Sequence, residues 1–153
     1  MSIIVKSKFV QEDILNENGE KIGVIKFNPD DSTIMKALAE IISNLIEKIK
    51  EIDQCGEIDL PKLEKTSTAE EFEAASEELG KMSKMFKIEY KAVDDSISEL
   101  EEIFGKETIN CFTSGTHDIE TLIPLIEFIT PYIQKNRKEK VSKYVKNPND
   151  VME

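Results

Sequence analysis

The sequence predicts an α+β fold that is mostly α-helical, with an N-terminal β-hairpin packed on an elongated helical bundle. Three observations predict it: an Asn18-Gly19 dipeptide between two short alternating runs, an apolar stripe from Ile34 to Ile52, and a second stripe from Phe72 to Phe104. Alternation with a period of two places residues on one face of a strand, whereas steps of three and four place them on one face of a helix.

Asn18-Gly19 favours a two-residue type I′ turn, because both central positions of that turn need a positive φ. With this turn as pivot, Leu15 faces Ile22, Ile14 faces Gly23, Glu12 faces Ile25 and Val10 faces Phe27. Val10, Ile14, Ile25 and Phe27 then share one apolar face. An isolated hairpin is marginal in water, so that face requires a helix, or a third strand over Ile3 to Val5, to cover it. The segment Phe27-Asn28-Pro29-Asp30-Asp31 ends the second strand, and Asp30 or Asp31 can accept the free amides of the helix that follows. This first helix is expected over 31–54, with Ile34, Leu38, Ile41, Ile42, Leu45, Ile49 and Ile52 on its apolar side and Gly56 as its stop.

Residues 57–66 contain Pro61 and no clear period, which reads as a connection. Ser67 and Glu70 form a capping-box pair for a helical segment over 68–104. Phe72, Ala75, Leu79, Met82, Phe86, Tyr90, Val93, Ile97, Leu100 and Phe104 run down its length in heptad-like steps. It is one long helix or two, since Gly80 is the place for a break, costing about 1 kcal/mol relative to Ala in a helix interior. Gly105 ends it. A short helix around Glu107 to Phe112, closed by Ser114-Gly115, opens the C-terminal helices, 107–146 with their basic tail. Thr116 or Asp118 starts the last stretch, whose buried side is Ile119, Leu122, Ile126, Ile129 and Ile133. Pro131 should kink it and Asn147-Pro148 should stop it.

The length of 153 residues suits a single domain over 1–153. With 39% apolar and 33% charged residues, the chain is too apolar and too periodic to stay disordered. No apolar run approaches the ~20 residues that cross a bilayer. Lys6 and Lys8 directly after the short run Ile3 to Val5 do not make a secretory signal, so a cytoplasmic location is expected. A net charge of −11 argues against nucleic acid as the main ligand, because phosphate contacts need clustered Lys and Arg. The charge is uneven: 57–102 holds fourteen acidic and six basic residues, whereas Lys135, Arg137, Lys138, Lys140, Lys143 and Lys146 face one Glu139 near the C-terminus. Cys55 and Cys111 stand apart with no CxxC spacing, as expected of two reduced thiols packed as small hydrophobes.

No catalytic, metal or cofactor motif is present, and no enzymatic role is expected. His117 beside Asp118 suggests a proton relay only in the presence of a substrate pocket and otherwise reads as a surface imidazole. Asn16-Glu17-Asn18-Gly19-Glu20 fails as a calcium loop, since placing Gly19 at the turn puts Ile14 where the first carboxylate must stand. Glu70, Glu71, Glu73, Glu77 and Glu78 read as a solvated helix face.

The hairpin around Asn18-Gly19, the Phe27-Asn28-Pro29-Asp30-Asp31 approach to the first helix, and Phe104-Gly105 followed by a helix ending in Lys143-Tyr144 resemble the tail assembly chaperones of long-tailed bacteriophages and prophages. The resemblance implies a non-enzymatic protein of the bacterial host cytoplasm. It also implies that the chain associates with the tape measure protein, helps recruit tail tube subunits, and self-associates. Apolar stripes in surplus of one small core fit a helix-in-groove contact, for which Leu38, Ile42, Leu45, Leu79, Met82 and Phe86 are the candidates. A second expectation, from charge alone, is an acidic regulatory or inhibitory protein-binding module that mimics DNA. An enzyme is a third, and requires His117, a cysteine or paired acids to meet in a cleft.

Overall fold

The computed structural model describes residues 1–6 and 8–144. Two antiparallel strands, β1 (Val10–Leu15) and β2 (Lys21–Phe27), lead into helices α1 (Ser32–Gln54), α2 (Ala69–Phe104), α3 (Lys106–Thr113), a 3₁₀ turn over Ile119–Leu122, and α4 (Ile123–Tyr144). The fold is therefore predominantly helical, with the hairpin packed against the helices. Lys146 and the expected stop at Asn147-Pro148 lie outside the described residues.

The hairpin pairs Val10 with Phe27, Glu12 with Ile25 and Ile14 with Gly23, as the alternation predicts. Leu15, however, pairs with Lys21 rather than Ile22. The turn explains the shift. Gly19 takes a positive φ of 78° and Asn18 does not, so a type I′ turn is not formed. The Asn16 side-chain oxygen instead accepts the amides of Asn18 and Glu20, and the Gly19 amide donates to the Asn16 carbonyl. This Asn-centred loop is longer than a two-residue turn and leaves Ile22 as the extra residue of a bulge.

Helices, not a third strand, cover the hairpin. Ile3, Ile4 and Val5 form no strand and are fully exposed. Ile14, Ile25 and Phe27 are buried, with Val10 half-buried beside them. Phe27 meets Phe104, Phe128 and Tyr132 edge-to-face, at centroid separations of 5.9, 6.0 and 5.3 Å. One ring thus joins β2 to the end of α2 and to the middle of α4. Next to it, the Asn136 side-chain amide donates to the Pro29 carbonyl, which ties α4 to the connection leading into α1.

Asp31 caps α1 by accepting from Thr33 and Ile34. Leu38, Ile41 and Leu45 from the predicted stripe are buried, together with Met35, whereas Ile49 at its far end is exposed. α2 is a single helix that runs through Gly80. Its N-cap is one residue later than the capping-box reading. The Thr68 hydroxyl accepts the Glu71 amide and donates to the Glu71 carboxylate, while Ser67 accepts from the Glu64 amide in the preceding turn. Gly105, at φ 91°, ends α2 and starts α3. Asp118 caps the 3₁₀ turn through the Glu120 amide, and α4 continues through Pro131.

α3 sits on β2 at a glycine. A Cβ on Gly23 would stand 2.5 Å from the Cys111 sulfur, which lies 3.3 Å from each of the Ile22 and Glu107 carbonyl oxygens, either of which can accept its single S–H. Glycine here is a requirement of close approach.

Two outcomes follow for stability, both read by urea denaturation. Phe27→Ala removes the ring at which three others meet and should cost about 3–5 kcal/mol. Gly23→Ala should cost about 1–3 kcal/mol by overpacking, and Cys111→Ala should recover part of that loss in the double variant. Additive costs would show that the sulfur is not the obstacle.

Candidate docking surface on the long helix

At about 1.5 Å per residue, the 36 residues of α2 extend roughly 54 Å. Its two halves have different surroundings. In the second half Ala92, Val93, Ser96 and Leu100 are buried. α1 runs antiparallel along one side: Ile41 and Leu45 line a groove with Ala92, Ser96 and Glu99, and Lys48 and Glu51 line another with Lys87, Ile88 and Lys91. His117 marks the upper limit of the covered region. Its ring stacks on Tyr90 with centroids 4.3 Å apart, and its Nε2 lies 3.0 Å from an Asp94 carboxylate oxygen. The histidine thus pairs with Asp94 across the fold rather than with its neighbour Asp118.

The first half is covered on one side only. The connection after α1 crosses it, with the Asp59 amide donating to the Glu78 carboxylate at 3.1 Å, and Ala75 is buried. On the other side Leu79, Met82, Ser83, Phe86, Lys87 and Tyr90 line a shallow open groove. Leu79 is 50%, Phe86 62% and Tyr90 56% exposed, and Phe72 extends the stripe at 48%. These residues continue the same stripe that lower down enters the core through Val93, Ile97, Leu100 and Phe104. Large apolar side chains are usually removed from water, so a contiguous row at half exposure is the feature of this helix that stands out.

The structure divides the expected contact residues. Leu79, Met82 and Phe86 come together in this groove. Leu38 and Leu45 are 0% and 1% exposed, and Ile42 is half-buried against the same core. Within the chain Leu38 and Leu45 serve the core, where α2 fills the space beside them. Phe72 and Tyr90 belong with the groove and were not among the expected contacts. The seven-residue step from Phe72 through Leu79 to Phe86 is the signal that groups the first of them.

Cys55 and Cys111 are unpaired thiols. Among the described residues, no group of three or more His, Cys, Asp or Glu is placed to hold a metal ion, and no helix is long and apolar enough to cross a membrane. Glu78 has a displaced titration. The Lys81 ammonium at 3.1 Å and the Asp59 amide hold its carboxyl below the ordinary carboxylate range.

Set beside protein-family models, curated proteins and solved structures, the chain matches none of them.

Because the pKa of Glu78 is lowered on folding, its contribution is present above the ordinary carboxylate value and is lost as pH falls through the lowered one. Glu78→Gln should therefore flatten the fall in urea midpoint between neutral pH and pH 3. An unchanged slope would show that the Asp59 tether carries no stability.

Proposed function

We propose that the protein is a non-enzymatic binding protein of the tail assembly chaperone kind, which shelters apolar helical segments of a tape measure protein in the cytoplasm of a bacterial host. The observation that carries this reading is the uncovered groove of Leu79, Met82, Phe86 and Tyr90 on a helix that further along sends Val93 and Leu100 into the core. An amphipathic helix laid along such a groove buries its anchors in steps of three and four against aromatic side chains, which are the residues that dominate binding energy at protein interfaces. The net charge of −11 supports the reading in a second way, since a charged exterior keeps a complex with an apolar client in solution. An acidic module that mimics DNA makes a different demand, a basic partner released by salt, and the groove itself is mainly apolar.

The test uses a tape measure protein that aggregates when expressed alone. Co-expressed wild-type chain should keep it in the supernatant at low and high salt alike, and Leu79→Asp with Phe86→Asp should leave it in the pellet. Circular dichroism of the double variant should match wild type, because both side chains already face water. Equal rescue by wild type and variant sinks the assignment of the groove. Rescue that disappears in salt favours the DNA-mimic reading.

A further inference from the structure

The exposed half of α2 carries charge sorted by sign along one flank of the groove. Glu73 and Glu77 are followed by Lys84, Lys87 and Lys91 at steps of four, seven, three and four residues, so the five lie along one line of the helix. All five are exposed. Lys87 places this line beside the apolar side chains, since it lines the groove together with Leu79, Met82, Phe86 and Tyr90. Like charges three or four residues apart repel along a helix, yet among the described residues none of the five enters an ion pair. α1 does not answer them. Lys48 and Glu51, which line the cleft beside Lys87 and Lys91, pair with each other at 3.0 Å, and Asp95 in the same cleft stays outside ion-pair distance of either lysine.

From this we infer that the groove sets the direction of the helix it shelters, drawing the acidic end of that helix over Lys84, Lys87 and Lys91 and its basic end over Glu73 and Glu77. The inference rests on the reading of this face as the docking surface for an amphipathic helix, and adds the charge such a helix must carry. Glu73 to Lys91 covers nineteen positions, so a helix of about that length sets its two ends against the two groups. Charged residues that flank an apolar seam between helices decide orientation by sign, attracting in one direction and repelling in the other. Turned end for end, the same helix would meet like charge at both groups.

The chemistry of the partner follows. Its apolar stripe is flanked by Asp or Glu at one end and by Lys or Arg at the other. The dipole of any helix favours acids in its first turn and bases in its last. A sheltered helix built on that rule therefore lies antiparallel to α2, with its start beside Tyr90 and its end beside Phe72.

The test uses the full chain and two synthetic helical peptides of that length, with the same composition and the same apolar stripe. One carries glutamates on the flank of its first turns and lysines on the flank of its last, and the other carries the same charges interleaved. By fluorescence anisotropy at low salt the sorted peptide should bind on the order of ten-fold tighter, as a few exposed ion pairs allow, and the advantage should shrink in 0.5 M salt. A nitroxide on the first residue of the sorted peptide should broaden the amide resonances of Lys87 and Lys91 and spare those of Glu73 and Glu77. In a chain carrying Glu73→Lys, Glu77→Lys, Lys84→Glu, Lys87→Glu and Lys91→Glu, the same peptide should bind the other way round and broaden positions 73 and 77. Equal affinity of the two peptides, or a direction that ignores the reversal, overturns the proposal. If both peptides bind equally and both are lost with Leu79→Asp and Phe86→Asp, the orienting role falls and the docking surface stands. If neither peptide binds, both fall.

Discussion

The ring of Phe27 is where this fold is joined. It ends the second strand, and three aromatic edges or faces converge on it from the end of α2 and from two successive turns of α4. A hairpin of two strands is at best marginally stable on its own, and Phe27 is the point at which this one is fastened to both α2 and α4. Burying a Phe side chain stabilises by about 1.5–3 kcal/mol, and each well-set aromatic pair adds about 0.5–1.5 kcal/mol. The Asn136 bond to the Pro29 carbonyl then holds α4 against the approach to α1. With that corner closed, α1 lies along the lower half of α2, and the arrangement of the covered and uncovered faces follows.

Because the packing converges at one end of α2, the other end is left with less to hold. α1 stops at Gln54, and only the connection at Asp59 reaches further up the helix. The core therefore consumes Val93, Ile97, Leu100 and Phe104 but not Phe72, Leu79 or Phe86. The groove is a consequence of helix lengths: a 36-residue helix has been given a 23-residue neighbour.

Much of this was legible in the sequence, for reasons that can be stated residue by residue. Helix α1, the hairpin pairing from Val10 to Ile14, and the ends of α2 at Gly105 and α3 at Ser114-Gly115 follow from local chemistry, and local chemistry is what a sequence displays. The turn was misjudged because the Asn16 side chain competes for the amides of Asn18 and Glu20, an effect the Asn18-Gly19 dipeptide does not reveal. The cap of α2 slipped by one residue because Ser67 and Thr68 are each followed three positions later by a glutamate. The partner face was only half legible. Leu38 and Leu45 have the same spacing and chemistry as Leu79 and Phe86, and what separates them is the packing of the second half of α2 along α1, a long-range fact with no local signature.

The continuity of α2 through Gly80 has a dynamic consequence. The projecting half was never required to nucleate: it lengthens a helix already anchored below, so each added turn escapes the cost of starting one. A segment that borrows its order in this way loses it from the free end. Amide exchange along α2 should then be graded, fastest near Thr68 and slowest near Leu100, instead of uniform along the rod. Such a helix can fray at its tip while its base stays fixed, the mechanical behaviour of a cantilever.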